Sequence, residues 1–138
     1  MAQFEVGDMD DIIAEIDKMG SDVPKIMKEM VEAGGKIALD AVKLNTPSRS
    51  GDLRASMYRT GGHCDSNGNW YDNIHADGYD RNGKPNPLKA NVLEGGKTEN
   101  GRVKARHFMK NAINSSKGAV ETAMRKVFEA RTGVKDDN

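Results

Sequence analysis

The sequence predicts an α+β fold: long N-terminal helices and a C-terminal helix packed on a small antiparallel sheet of three or four strands. Three observations lead there. Apolar residues recur at helical spacing before residue 45 and again after residue 107. Between these blocks, residues 53–60 and 70–76 alternate with a period of two. The stretches separating them are rich in Gly, Asn, Asp and Pro, the composition of turns. The chain has 138 residues, enough for a single domain.

Taken in order, residues 3–6 suit a short edge strand or an ordered arm. Asp8 is placed to cap a first helix, with Asp10 and Asp11 near its positive end. Met9, Ile12, Ile13, Ile16 and Met19 form its apolar stripe, and Gly20 ends it. Ser21 or Asp22 then caps a second helix over residues 23–44, with Pro24 in its first turn. Its expected stripe is Ile26, Met30, Ala33, Ile37, Ala41 and Leu44, and Val31, Ala38 and Val42 add apolar surface on another side. A helix apolar on more than one side is central or covered by a partner. Gly34 and Gly35 interrupt it at about 1 kcal/mol each relative to alanine. They mark either a close backbone approach, a kink or a tolerated weak spot.

Pro47 disfavours a helical Thr46, so the helix stops there. Gly51 permits a turn, and residues 53–60 read as a strand with Leu53, Ala55, Met57 and Arg59 on one face. Gly61 and Gly62 break it. Residues 61–69 form a polar loop. The next strand, 70–76, puts Trp70, Asp72 and Ile74 on one face and Tyr71, Asn73 and His75 on the other. Residues 77–87 read as an exposed loop, and 88–94 as either a helical turn or a strand. Residues 95–106 form a basic flexible loop after Gly95 and Gly96. A last helix starts near His107 with Met109, Ala112, Ile113, Ser116, Val120, Ala123, Met124 and Val127 on its stripe, and ends at Gly133. Residues 134–138 are expected to fray.

Composition narrows the function. Acidic and basic residues balance at 21 each, which argues against a strongly basic nucleic-acid binder. The charge is unevenly placed, however. Residues 1–20 carry a net −5 (Glu5, Asp8, Asp10, Asp11, Glu15 and Asp17 against Lys18). Residues 101–129 carry a net +5 (Arg102, Lys104, Arg106, Lys110, Lys117, Arg125 and Lys126 against Glu121 and Glu129). Such polarity suits head-to-tail assembly, an intramolecular pairing, or two solvated helix faces. One cysteine excludes an internal disulfide. No secretory signal or membrane-spanning stretch is visible, so the expectation is a soluble protein, cytoplasmic when made, with no membrane partner.

Catalytic chemistry is not in evidence. His63 and Cys64 are adjacent, so on a strand they face opposite ways and do not share an ion with His75. Asp77, Asp80, Asn82 and Gly83 lack the closing glutamate of a calcium loop. No third group completes a nucleophile with Cys64 and His63. The expectation is no enzyme, no metal and no cofactor.

Residues 46–56, Thr-Pro-Ser-Arg-Ser-Gly-Asp-Leu-Arg-Ala-Ser, are followed by Val92-Leu93-Glu94-Gly95-Gly96 and by Ala105-Arg106-His107-Phe108-Met109. With the acidic opening helix and the long second helix, this succession resembles the small neck or tail-completion proteins of long-tailed bacteriophages and prophages. The likeness departs at Gly95, where the family usually has an aromatic, and at His107, where it usually has proline. The latter implies a less rigid start to the last helix.

The resemblance implies a structural role at the head–tail junction. It implies a closed ring, with six copies among the stoichiometries allowed, in contact with tail-terminator, connector or tail-tube proteins of the virion. Pro47, Arg49, Gly51, Leu53, Arg54, Arg102, Lys104, Arg106 and Phe108 are the expected subunit or partner contacts. The alternative is a module touching DNA in the portal or neck channel, with nucleic acid bound at most weakly.

Overall fold

A computed structural model describes residues 2–5, 23–47, 51–96 and 104–133. The predicted first helix, Arg49 and Arg102 therefore lie outside the described residues. In order, the elements are β1 (Ala2–Glu5), α1 (Val23–Asn45), α2 (Asp52–Ser56), β2 (Met57–Arg59), β3 (His63–Cys64), β4 (Trp70–Ala76), α3 (Asn86–Gly95) and α4 (Phe108–Thr132). The α+β expectation holds, with long helices on a small antiparallel sheet.

β4 is the central strand. Tyr71 pairs with Glu5 of β1 and also with His63 of β3, so these lie on opposite edges. β2 and β3 share one edge: Arg59 pairs with Ile74, and His63 with Tyr71. Three residues separate Arg59 from His63 while two separate Ile74 from Tyr71. The edge strand thus carries one extra residue, a bulge, and Gly61 adopts φ 97° within it. The sheet is three strands wide, with one strand broken in two.

Alternation along β4 runs as expected: Asp72, Ile74 and Ala76 are buried. The opposite face stacks aromatic rings, Tyr58 with His75 at 5.5 Å and His63 with Tyr71 at 6.0 Å between centroids.

Asp72 is fully buried, and each of its carboxylate oxygens accepts a hydrogen bond. Arg59 Nη1 donates to Oδ2, and the Gly61 amide donates to Oδ1 at 3.0 Å. Burying a charge is costly unless it is paired and hydrogen-bonded. Here the bulge supplies one donor and β2 the other.

α1 lies over this pair, and its two glycines explain how. A methyl group at Gly35 would sit 3.0 Å from Arg59 Nη1 and inside contact distance of the Asp72 carboxylate. At Gly34 it would sit 2.9 Å from Val120 Cγ1 and 3.1 Å from Met124 Cγ on α4. One glycine admits the sheet's ion pair, and the other admits the neighbouring helix. Close approach, among the expected readings, is what the structure shows.

α1 and α4 run antiparallel. Gly34 meets Val120 and Met124, while Arg131 near the end of α4 reaches Glu29 near the start of α1, with Nε–Oε2 at 2.5 Å. Met27, Met30, Val31, Ala38 and Val42 of α1 join Phe108, Ala112, Val120, Met124 and Phe128 of α4 in the core. Burying each larger side chain stabilises the fold by about 1.5–3 kcal/mol.

Two expectations need correction. The core face of α1 holds Ile26, Met27, Met30, Val31, Gly34, Gly35, Ala38 and Val42; of the expected stripe Ile26 and Met30 are buried, Ala33, Ile37 and Ala41 are half-buried, and Leu44 is 79% exposed. The flank carrying Gly34 and Gly35 is the one that faces α4 and Asp72. Residues 53–56 are not strand but the helical turn α2, which follows Gly51 at φ 82°. The turn is held by Ala55 N to Gly51 O at 2.9 Å and Ser56 Oγ to Leu53 O at 2.6 Å. It drives Leu53 into the core, only 1% exposed, and leaves Ala55 outside. The ambiguous 88–94 segment is helical and starts earlier, with Pro87 in the first turn of α3.

Candidate functional site

One end of the molecule gathers the three motif segments. The C-terminus of α1, α2, the C-terminus of α3 and the start of α4 all meet there. At the α1 end, Thr46 is buried, and its Oγ1 donates to Val42 O at 2.6 Å. That bond satisfies a helix-terminal carbonyl just before Pro47 stops the helix. Arg54 Nη2 donates to Thr46 O at 3.3 Å, tying α2 back to the end of α1. Leu53 and Phe108 are core residues, 1% and 3% exposed. They hold this pole together from inside. Pro47 is half-buried, and Gly51 supplies the left-handed turn.

The second and third motif segments form one device. Glu94, near the end of α3, accepts the Met109 amide at 2.8 Å and the Lys110 amide at 3.1 Å. These are first-turn N–H groups of α4, which have no partner within their own helix. The carboxylate also suits the positive end of the helix. Two backbone bonds flank it: Arg106 N to Leu93 O at 2.7 Å and His107 N to Glu94 O at 3.2 Å. The start of α4 is thus pinned at four points, contrary to the looseness expected from His107. His107 takes φ 49°, a left-handed value that proline, fixed near −65°, does not reach.

Because Glu94 occupies those amides, the helix terminus is not a free anion site. The positive character of the pole comes from side chains. Lys104, Arg106 and Lys110 are exposed, and none of them forms an ion pair among the described residues. Arg54 of α2 is also exposed.

The loop over residues 77–85 braces the pole. Arg81 donates to Asp52 of α2 from Nε and Nη2, both at 2.9 Å, and from its backbone amide at 3.1 Å. That pairing raises the pKa of the Arg81 guanidinium. Asp80 Oδ1 accepts the Asn82 and Lys84 amides at 2.9 Å each, and Oδ2 accepts Lys89 Nζ at 2.9 Å. The Lys84 amide and then Lys89 are the main causes holding the Asp80 pKa below its ordinary value. The carboxylate that suggested a calcium loop is spent on its own turn. This bracing was not foreseen, because Asp52 and Arg81 are far apart in sequence. Tyr79 of the braced loop and Leu88 of α3 stand out, 72% and 59% exposed.

At the opposite end, His63 Nε2 meets Thr60 O at 3.2 Å and the Cys64 thiol is exposed. Among the described residues, no three His, Cys, Asp or Glu side chains group to hold a metal. Among them too, no helix is long and apolar enough to cross a membrane.

Residues 10–125 match the profile of the HK97-gp10-like family, described as "Bacteriophage HK97-gp10, putative tail-component". Comparison with curated proteins and with solved structures returns no match.

Proposed function

Since the chain belongs to the HK97-gp10-like family of phage tail components, we propose that it is a structural piece of the head–tail junction, a neck or tail-completion protein that works through contacts and not through catalysis. The supporting observation is the pole. Three motif segments, far apart in sequence, converge on one hydrogen-bonded end where Lys104, Arg106 and Lys110 are exposed and form no ion pair among the described residues. A hydrogen-bonded, charged end with no metal-holding cluster among the described residues suits docking.

In this reading, copies assemble into a closed ring, and the ring abuts tail-terminator, connector or tail-tube proteins. The virion is its final location, and the host cytoplasm is where it assembles. The alternative, contact with DNA in the channel, draws on the same cations. The chain's zero net charge gives that reading less support.

The test is genetic. A phage lacking this gene is complemented with the wild-type chain or with Lys104→Glu/Arg106→Glu. The wild type should restore infectious particles, and the variant should leave separate heads and tails in electron micrographs. Infectious, normally joined particles from the deletion itself would refute the proposal.

A further inference from the structure

A single exposed leucine or tyrosine needs no explanation, but two at the edge of one cationic pole do. Tyr79 and Leu88 are such a pair, 72% and 59% exposed. The braced loop brings them to one place. The Asn86 amide donates to Gly78 O at 2.9 Å, and Tyr79 pairs across with Pro85. Tyr79 thus lies at the start of α3, where Leu88 stands in the first turn.

From Leu88 one face of α3 runs toward the cations. Leu88, Asn91, Val92 and Gly95 follow at the i, i+3, i+4 and i+7 spacing of a single helix side. Leu88, Asn91 and Gly95 are exposed and Val92 is half-buried, while Asn86 and Ala90 face inward. A methyl group at Gly95 would meet nothing within 4 Å. This open strip is about 10 Å long. At its far end Leu93 O accepts the Arg106 amide at 2.7 Å, and Glu94 Oε1 accepts the Lys110 amide at 3.1 Å. Arg106 and Lys110 therefore stand at that end, with Lys104 just upstream. All three are exposed and form no ion pair among the described residues.

An apolar patch edged by polar and charged groups is the anatomy of a protein interface. Duplex DNA would neutralise the cations and leave Tyr79 and Leu88 in water, so the apolar half of the strip selects a protein. The cations select an acidic one. Among the described residues the fully exposed acids are Asp40 of α1 and Asp77 of the loop, too few to match three cations. We propose that the exposed face of α3, from Tyr79 to the Lys104–Arg106–Lys110 cations, docks an acidic segment of a different virion protein. Apolar side chains of that segment pack on Tyr79 and Leu88, and its carboxylates, about 10 Å further on, meet the cations. The inference rests on the docking role proposed above and names the chemistry of the partner.

The test uses the full chain. Heads and tails are isolated separately from a phage lacking this gene, and the fluorescently labelled chain is sedimented with each. It should travel with one of them. Tyr79→Ala/Leu88→Ala and, separately, Lys104→Glu/Arg106→Glu/Lys110→Glu should each weaken that binding by about tenfold or more. Tyr58→Ala, at an exposed tyrosine of β2, should leave it unchanged. Circular dichroism checks that each variant folds. A carbodiimide, which joins lysines directly to carboxylates, should link Lys104 or Lys110 to an Asp or Glu of a different virion protein.

Binding that survives either set of substitutions overturns the proposal, as does a wild-type chain that sediments with neither heads nor tails. Links from Lys104 or Lys110 only to other copies of this chain, or no link at all, overturn the choice of partner. So does binding that nuclease or competing duplex DNA abolishes, since the strip would then serve nucleic acid. The particle assay under Proposed function is independent. If Tyr79→Ala/Leu88→Ala restores joined particles as well as the wild type does, the chain keeps its tail role and loses only this contact.

Discussion

Gly35→Ala should destabilise the protein although it improves a helix. By intrinsic propensity alone, alanine at a helix interior gains about 1 kcal/mol over glycine. At this position the new methyl falls inside contact distance of the buried Asp72 carboxylate and 3.0 Å from Arg59 Nη1. Asp72 is fully buried, so its carboxylate has no free space to retreat into. Overpacking of this kind costs about 1–3 kcal/mol. Breaking a buried ion pair costs about 3–5 kcal/mol, and a displaced carboxylate suffers part of that. The net expectation is a loss of about 2–4 kcal/mol. With a urea slope of about 1–3 kcal/mol per molar, the unfolding midpoint should drop by roughly 1–2 M. Gly118→Ala is the control, because that helical glycine is exposed and nothing lies within 4 Å of the added methyl. It should gain up to about 1 kcal/mol. Gly34→Ala should fall between them, since Met124 can swing away but Val120 Cγ1, at 2.9 Å, is stiffer. A Gly35→Ala protein that unfolds at or above the wild-type midpoint would refute the packing argument.

Three further outcomes follow from the pole. Glu94→Ala should cost about 1–2 kcal/mol in urea unfolding and speed hydrogen exchange at the Met109 and Lys110 amides; unchanged exchange there would show that the cap carries no weight. Leu53→Ala should cost about 2–5 kcal/mol, whereas Leu44→Ala, on a side chain 79% exposed, should stay within about 0.5 kcal/mol; equal effects would contradict the burial assigned to each. The Asp80 pKa is lowered in the fold, so its stabilising effect is fully present above the unfolded carboxylate value, near 4, and is lost as pH falls through the lower folded value. Amide exchange at Asn82 and Lys84 should therefore show no Asp80-dependent change between about pH 5 and 8, and Asp80→Asn should remove a loss of protection that appears only in strong acid.

Periodicity was enough to find the two long helices, because more than twenty residues of spacing outweigh local noise. The end of α1 was readable from Pro47, and the end of α4 from Gly133, which takes φ 73° and donates to Glu129 O. The alternation of β4 was readable too, with Asp72 on the same face as Ile74, though not that this face is the buried one. Other features were not. A five-residue turn such as α2 is too short to show a period, so apolar Leu53 and Met57 passed as one strand face. The buried side of α1 was only partly readable: Ile26 and Met30 of the expected stripe are buried and Leu44 is not, and the two glycines that face inward add nothing to an apolar stripe. The cap by Glu94 joins residues fifteen apart across a loop, and no local spacing marks such a bond. The motif segments were visible as motifs, but their meeting at one pole depends on the antiparallel run of α1 and α4. Only the fold brings that about.

The buried carboxylate of Asp72 has a last consequence. Slippage of β4 by one residue against its neighbours would turn Asp72 toward solvent, bring Asn73 under α1, and leave the Arg59 guanidinium and the Gly61 amide without an acceptor. β2 and β3 are three and two residues long, too short to fix their own alignment by backbone pairing. A single acid beneath a notch in the helix thus acts as an indexing pin for the sheet.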